Sequence, residues 1–395
     1  MMRSMFSGVS GLRSHQTMMD VVGNNVANVN TPGYKASQVT FQETLTQTVR
    51  GAAPGSGVVG GTNPIQIGLG TQVATVDGIF TQGAVQTTGR NTDLMIQGDG
   101  YFIVQRGEER FYTRAGSFGF DREGNLVNGN GLKVMGWMPD ADGNVNTTGA
   151  LSPISVPLGQ VYEPKQTEEM TIRGNLSPDA DEIHTSVRVY DQLGNSHEIA
   201  LRFTNNSGSW SVEARVGDDG PWQSVGDIEF DADGRVTSES LTIPDSVVGF
   251  EIGLDPSSLS QFGGTSNLEA TSDGHAMGVL QDVSVGADGT VTAHFSNGLT
   301  RTMAIIATAT FANPGGLSRV GESTFAASPN SGAAVIGQPG SGDRGSLTPG
   351  ALEMSNVDLA REFTNLIIAQ RGFQANSRVI TASDEMLADL VNIRR

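Results

Sequence analysis

No cysteine occurs in the 395-residue chain. That excludes disulfides, thiolate metal sites and cysteine nucleophiles together, and it suits a chain handled unfolded across a membrane, although a cysteine-poor proteome would leave the same gap. No apolar run approaches the roughly 18 residues of a membrane-crossing helix, so no membrane insertion is expected. Residues 1–30 lack a continuous apolar stretch ending in a small-residue cleavage site, so any export must use a route other than the Sec type. Positive charge is scarce as well. Forty-two acidic residues against 24 basic ones leave a net charge of -18, which repels a phosphate backbone or an anionic lipid surface and argues against a nucleic-acid partner.

Catalytic patterns are missing too. The five histidines, His15, His184, His197, His275 and His294, are too scattered for a zinc motif of the HExxH kind, and no GxSxG elbow occurs. Asp140-Ala-Asp142-Gly143-Asn144 and Asp231-Ala-Asp233-Gly234 look like calcium loops, but neither carries the glutamate needed at the twelfth position. With Asp288-Gly289 they read as hairpin turns. The glycine-rich tract Gly51 to Gly70 lacks the lysine-serine ending of a phosphate loop, and no helix follows it. The sequence predicts no enzyme, no cofactor and no metal site.

What remains is a chain with 52 glycines, 17% charged and 6% aromatic residues, and long tracts of Thr, Ser, Asn and Val. That mixture favours strands joined by tight turns, and the length suggests two or three domains. Alternating runs such as Leu94 to Ile96, Tyr101 to Val104 and Leu132 to Val134 are separated by Asp-Gly and Asn-Gly turns. A further β segment follows about Asn146, with Ser186 to Asp191 and His197 to Phe203 expected to pair. A last β stretch follows Gly274.

Helical periodicity is confined to the two ends. Met5, Leu12, Met19 and Val26 recur every seven residues, with Val9, Val22 and Val29 widening the stripe. Near the other end Leu359, Leu366, Phe373, Ile380 and Leu387 do the same, joined by Phe363 and Val391. The first helix is expected to stop at Asn30-Thr31-Pro32-Gly33-Tyr34, where proline excludes the α region for Thr31 and Pro-Gly fits a type II turn. The second is expected to begin near Ser355 or Asn356, either of which can cap it, with Asp358 at its positive end. Gly8, Gly11 and Gly23 each weaken the first helix by roughly 1 kcal/mol relative to alanine. Each stripe therefore needs an apolar partner, and the simplest is the stripe at the opposite end, completed by neighbouring subunits. The ends are expected to order only on assembly.

The segment Asn24 to Lys35, preceded by Ser10-Gly-Leu12 and Asp20, resembles the N-terminal signature of the flagellar rod and hook family, with Asn28, Asn30, Thr31, Pro32, Gly33 and Tyr34 at its centre. Ser355 to Leu359, Ile368 to Arg371, Ala375-Asn-Ser, Asp384 to Leu387 and Leu390 to Asn392 resemble the same family's C-terminus. Asp93 to Phe102, Tyr112 to Phe118 and Gly131 to Trp137 are similar to the β domain that rod and hook proteins share. Val189 to Asn195, His197 to Phe203, Trp210 and Thr310 to Leu317 are similar to hook proteins, whose outer domain rod subunits generally lack.

The resemblance implies a mainly β fold with terminal α-helices that pair as a coiled-coil-like inner domain, and two nested β domains. The expected division is 1–31 with 354–395 as the helical assembly domain, 32–71 as a connector that its glycines make flexible or tightly turning, 72–146 with 274–353 as the inner β domain, and 147–273 as the inserted outer one. It implies self-association into a curved tube with a central channel, coupling rod to filament and transmitting torque. The implied partners are the flagellar type III export apparatus, the distal rod protein, the hook cap scaffold protein, the hook-filament junction protein and the hook-length control protein. The alternatives are a distal rod subunit and, from a different class, a secreted β-rich adhesin.

Overall fold

One local device recurs along the β part of the chain. At Asp121, Asp140, Asp191 and Asp231 a carboxylate oxygen accepts the backbone N–H four residues on, each at 2.8 Å. The glycine three residues on has a φ of 83°, 81°, 84° and 76° in turn, a left-handed conformation that admits little else. Asn128 and Gly131 repeat the pattern with an amide oxygen. These are three-residue hairpin loops closed by a side-chain acceptor, which explains why the calcium-like sequences serve as turns. The side-chain amides of Asn125 and Asn195 hold the Asp121 and Asp191 carboxyls below the usual carboxylate value.

The computed structural model describes residues 2–55, 60–140, 143–157, 159, 161–206, 208–217 and 220–393, with the side chains of 390–393 outside the description. The fold is mainly β, with one long helix near each end, Met2–Ala27 and Leu359–Ile393. No helix among the described residues is long and apolar enough to cross a membrane. The chain divides into two units. One takes 1–157, 283–292 and 302–395; the other takes 158–282 and 293–301.

The first unit holds both helices and a sheet whose neighbours are antiparallel, in the order Thr300–Ile306, Lys133–Trp137, Tyr101–Arg106, Glu109–Thr113, Thr324–Ala326 and Ser318–Gly321. Tyr101, Ile103, Tyr112, Met135, Trp137, Phe311 and Phe325 form its core. The rings of Tyr112 and Phe311 meet edge to face at 4.7 Å. The stretch read as a flexible connector is instead largely stranded. β1 (Ser37–Glu43) pairs with β4 (Thr71–Gly78), and between them β2 (Thr46–Arg50) pairs with β3 (Ile65–Gly68), all antiparallel. Alternation of Thr, Val, Ile and Gln outweighs the glycines here, which gather in the loop.

The second unit is a β-sandwich. Glu182–Tyr190, Ser196–Asn205, Ser209–Val216 and Gln223–Glu229 form an antiparallel meander. The facing sheet runs Leu241–Ile243, Ile252–Ser260, Glu169–Asn175 and Asn267–Ser272, with Glu169–Asn175 and Ile252–Ser260 parallel. Alternate residues from both sheets, among them Met170, Ile172, Leu201, Phe203, Trp210 and Ile252, close one core. The expected hairpin is present, with Val189 opposite His197.

Candidate assembly surface of the terminal helices

The two helices run antiparallel and touch through small and polar side chains. Ser4 lies 3.4 Å from Ser383, oxygen to oxygen. A methyl group added at Gly8 would sit 3.1 Å from Ile380, and one at Gly11 would sit 2.7 Å from the Asn376 side chain. Gly372 leaves room for the His15 ring. At the far end Asn25 donates its amide to Glu362 at 3.2 Å. Ser4, Gly8, Gly11, His15, Val22 and Asn25 follow the alternating four-and-three spacing of a helix seam, as do Glu362, Ala369, Asn376 and Ser383 with Ile380 between them. Two of the three glycines that weaken the helix in isolation, Gly8 and Gly11, are where its partner comes closest.

This seam is offset from the one that hydrophobic periodicity selects. Of the expected stripe only Val22 is buried; Met5, Leu12, Met19 and Val26 are half-buried and Val9 is exposed. On the second helix Leu366, Ile380 and Leu387 are half-buried, whereas Leu359, Phe363 and Phe373 are exposed. The side chain of Val391 lies outside the described residues. The largest apolar groups thus border the seam or face away from it, with Phe6 66% and Phe363 50% exposed. Ser4, Gly8, Gly11, Ala369, Asn376 and Ser383 escape a hydrophobic count because close approach selects for smallness, and only the four-and-three spacing of small residues signals them.

The helix ends also differ in detail from expectation. The first helix stops at Ala27, ahead of the Pro-Gly turn. That turn is as the sequence reads: Tyr34 N–H bonds the Thr31 carbonyl across Pro32 and Gly33, with φ of 69° at Gly33. A side chain at Gly33 would strike the backbone of Arg114 and Ala115. The second helix begins at Leu359 and is capped by Asp358, whose carboxylate accepts from the N–H groups of Ala360 at 2.9 Å and Arg361 at 3.3 Å. Neither Ser355 nor Asn356 caps it. Asn356 instead accepts from Ala36 N–H and donates to the Ile79 and Thr81 carbonyls.

Below the turn, the start and the end of the β body are tied together. Gly33 N–H donates to the Glu353 carbonyl at 2.8 Å. Lys35 Nζ lies 2.5 Å from Glu353 Oε1 and 2.8 Å from the Thr81 carbonyl, and Arg114 reaches Glu353 Oε2 at 3.4 Å. Lys35 and Glu353 are each 1% exposed. Burial depresses the Lys35 pKa, against the opposing pull of Glu353. Around this pair, Tyr34 donates to Asn25, Arg319 donates to the Lys35 carbonyl, and Thr31 donates to Asn28; Asn30 is exposed. The signature turn therefore works as a fastener. No group of three or more metal-binding side chains gathers among the described residues.

Four family models match the chain in succession. They are a flagellar basal body rod protein model at 5–35, a flagellar hook protein FlgE/F/G D1 domain at 95–177, a flagellar basal body protein FlaE D2 domain at 173–275 and a flagellar basal body rod FlgEFG protein C-terminal model at 348–393. The flagellar hook protein FlgE of Treponema pallidum (strain Nichols) is 38% identical, with all of both chains covered. The flagellar basal-body rod protein FlgG of Bacillus subtilis (strain 168) is 33% identical, again over all of both chains. The crystal structure of the Helicobacter pylori flagellar hook protein FlgE2 matches with a TM-score of 0.54 at 16% identity, covering 68% of this chain and 99% of that one, and shows a shared fold.

Proposed function

The chain belongs to the flagellar hook protein family and is a structural subunit of the bacterial flagellar hook, and on that premise we propose that it polymerises through its terminal helices into a curved tube that carries torque from rod to filament around a central channel. The observation that carries this reading is the helix pair itself. Its seam is filled by small and polar residues, while Phe6, Val9, Leu359, Phe363 and Phe373 stay exposed. Apolar side chains in that number are costly in water and serve as contacts for neighbouring copies.

In this reading the role is mechanical rather than catalytic, and Met5, Val9, Leu12, Met19, Val22, Val26, Leu359, Phe363, Leu366, Phe373, Ile380, Leu387 and Val391 contribute packing between subunits. Head-to-tail contacts that do not close generate such a helical polymer. The subunit leaves the cell through the flagellar type III apparatus. It meets the distal rod protein, the cap scaffold, the junction protein and the length-control protein at the ends of the tube or during its growth. The proposed division of labour keeps 1–31 with 354–395 as the assembly domain, 32–71 as the connector, 72–146 with 274–353 as the inner β domain and 147–273 as the outer one.

The full-length likeness to a rod protein favours one second reading, a straight distal-rod tube. Negative-stain images of the purified chain after salt-induced assembly separate the two: curved tubes are expected, and straight ones would assign it to the rod. Leu366→Asp or Ile380→Asp is expected to abolish sedimentable polymer with little change in monomer melting.

A further inference from the structure

The first unit contains a cavity of about 720 Å³, a size that suits a small organic ligand. Phe80, Tyr101, Phe311 and Pro314 give it an apolar lining, and Arg114 and Arg344 bring two cations to it. Arg114 sets it apart from a packing gap. Its side chain is 4% exposed, its guanidinium lies 5.2 Å over the Tyr101 ring, and one terminal nitrogen reaches Glu353 at 3.4 Å. Its Nε is buried and has no hydrogen-bond partner among the described residues. A buried donor left in that state forfeits the hydrogen bond it had in water, so such groups are rare in folded chains and point to an acceptor that arrives from outside.

Charge says what that acceptor is. Lys35 and Arg114 are both buried and share the single carboxylate of Glu353, which leaves two cations with one negative charge between them. Arg344 donates its Nε to the Gln338 carbonyl at 3.1 Å and adds a second guanidinium to the lining. Asp99 and Asp343 line the cavity too, but both are exposed, where water and salt screen them. Burial pushes the Tyr101 hydroxyl up to about 12, so it keeps its proton and can donate. We propose that this cavity binds a small organic monocarboxylate with an apolar body, the carboxylate on Arg114 and the body against Phe80, Phe311 and Pro314. A guanidinium matches a carboxylate in geometry as well as charge. An inorganic anion would leave the aromatic lining in water, and an uncharged apolar ligand would leave the Arg114 Nε unpaired. The cavity lies within one unit of one chain, so the site does not depend on polymerisation.

Titration of the full-length subunit with benzoate, benzamide and acetate, followed by ligand-observed NMR, tests the site. Benzoate is expected to bind about tenfold or more tightly than benzamide, which lacks the charge, and than acetate, which lacks the ring. Ala312→Trp fills the cavity from an exposed position away from the buried ion pair, and should weaken benzoate about tenfold. Tyr101→Phe removes one donor and should weaken it a few-fold. Arg114→Lys keeps a charge for Glu353 but has no Nε, and should erase the preference for benzoate over benzamide. If that chain fails to fold, the other two variants still decide. Benzoate that does not bind, that binds no better than benzamide or acetate, or that binds Ala312→Trp as well as the native chain overturns the site.

Discussion

Lys35 and Glu353 are 318 positions apart in sequence yet share a buried ion pair. Removing one charge from such a pair strands the other in a poorly solvated site. Glu353→Gln leaves both the Lys35 ammonium and the Arg114 guanidinium without their carboxylate, so thermal or urea unfolding should show a loss of about 3–5 kcal/mol. A loss under about 1 kcal/mol would mean that the pair behaves as a surface bridge does. Nothing local announces this pair: Lys35 reads only as the last residue of the signature, and Glu353 as part of no motif. The Asp-x-x-Gly loops were legible by contrast, because carboxylate acceptor, left-handed glycine and strand pairing all lie within five residues.

Between elements, the sequence revealed both helices but mistook the phase of their contact. Seven-residue spacing picks out the bulkiest apolar groups, whereas the observed seam is defined by what is absent from Gly8, Gly11 and Gly372. Two glycine substitutions separate propensity from fit. Gly23 has nothing within 4 Å of an added methyl group, so Gly23→Ala should raise the stability of the helix pair by about 1 kcal/mol. Gly11→Leu drives a side chain into Asn376 and should lower it by about 1–3 kcal/mol despite the better helix former. Helical circular dichroism of the assembled polymer against temperature reads both, and equal gains would remove the close seam. The connector was misread for a related reason: its glycines drew attention away from the Thr-Val-Ile alternation that makes strands on either side.

Across the whole molecule, the mainly β body with helical ends was legible because periodicity changes abruptly at both termini. The packing of the ends in the free subunit is a matter of energy rather than pattern. Val22 and Ala369 are the buried hydrophobic residues of the described seam; the rest of it is glycine, serine, asparagine and partly covered groups. That is little apolar burial to offset the ordering of two long helices. Hydrogen exchange on a dilute subunit should therefore find residues 2–27 and 359–389 exchanging fast and the β core slow, with both becoming protected in polymer. Strong protection of both ends in the dilute subunit would remove the coupling of order to assembly. Finally, the junction of Gly33 and Lys35 with Glu353 behaves like the drawstring of a pouch. The chain leaves and returns at this one tie, so loops or strands can be added to or trimmed from the stretch in between while the distance between positions 35 and 353 stays unchanged.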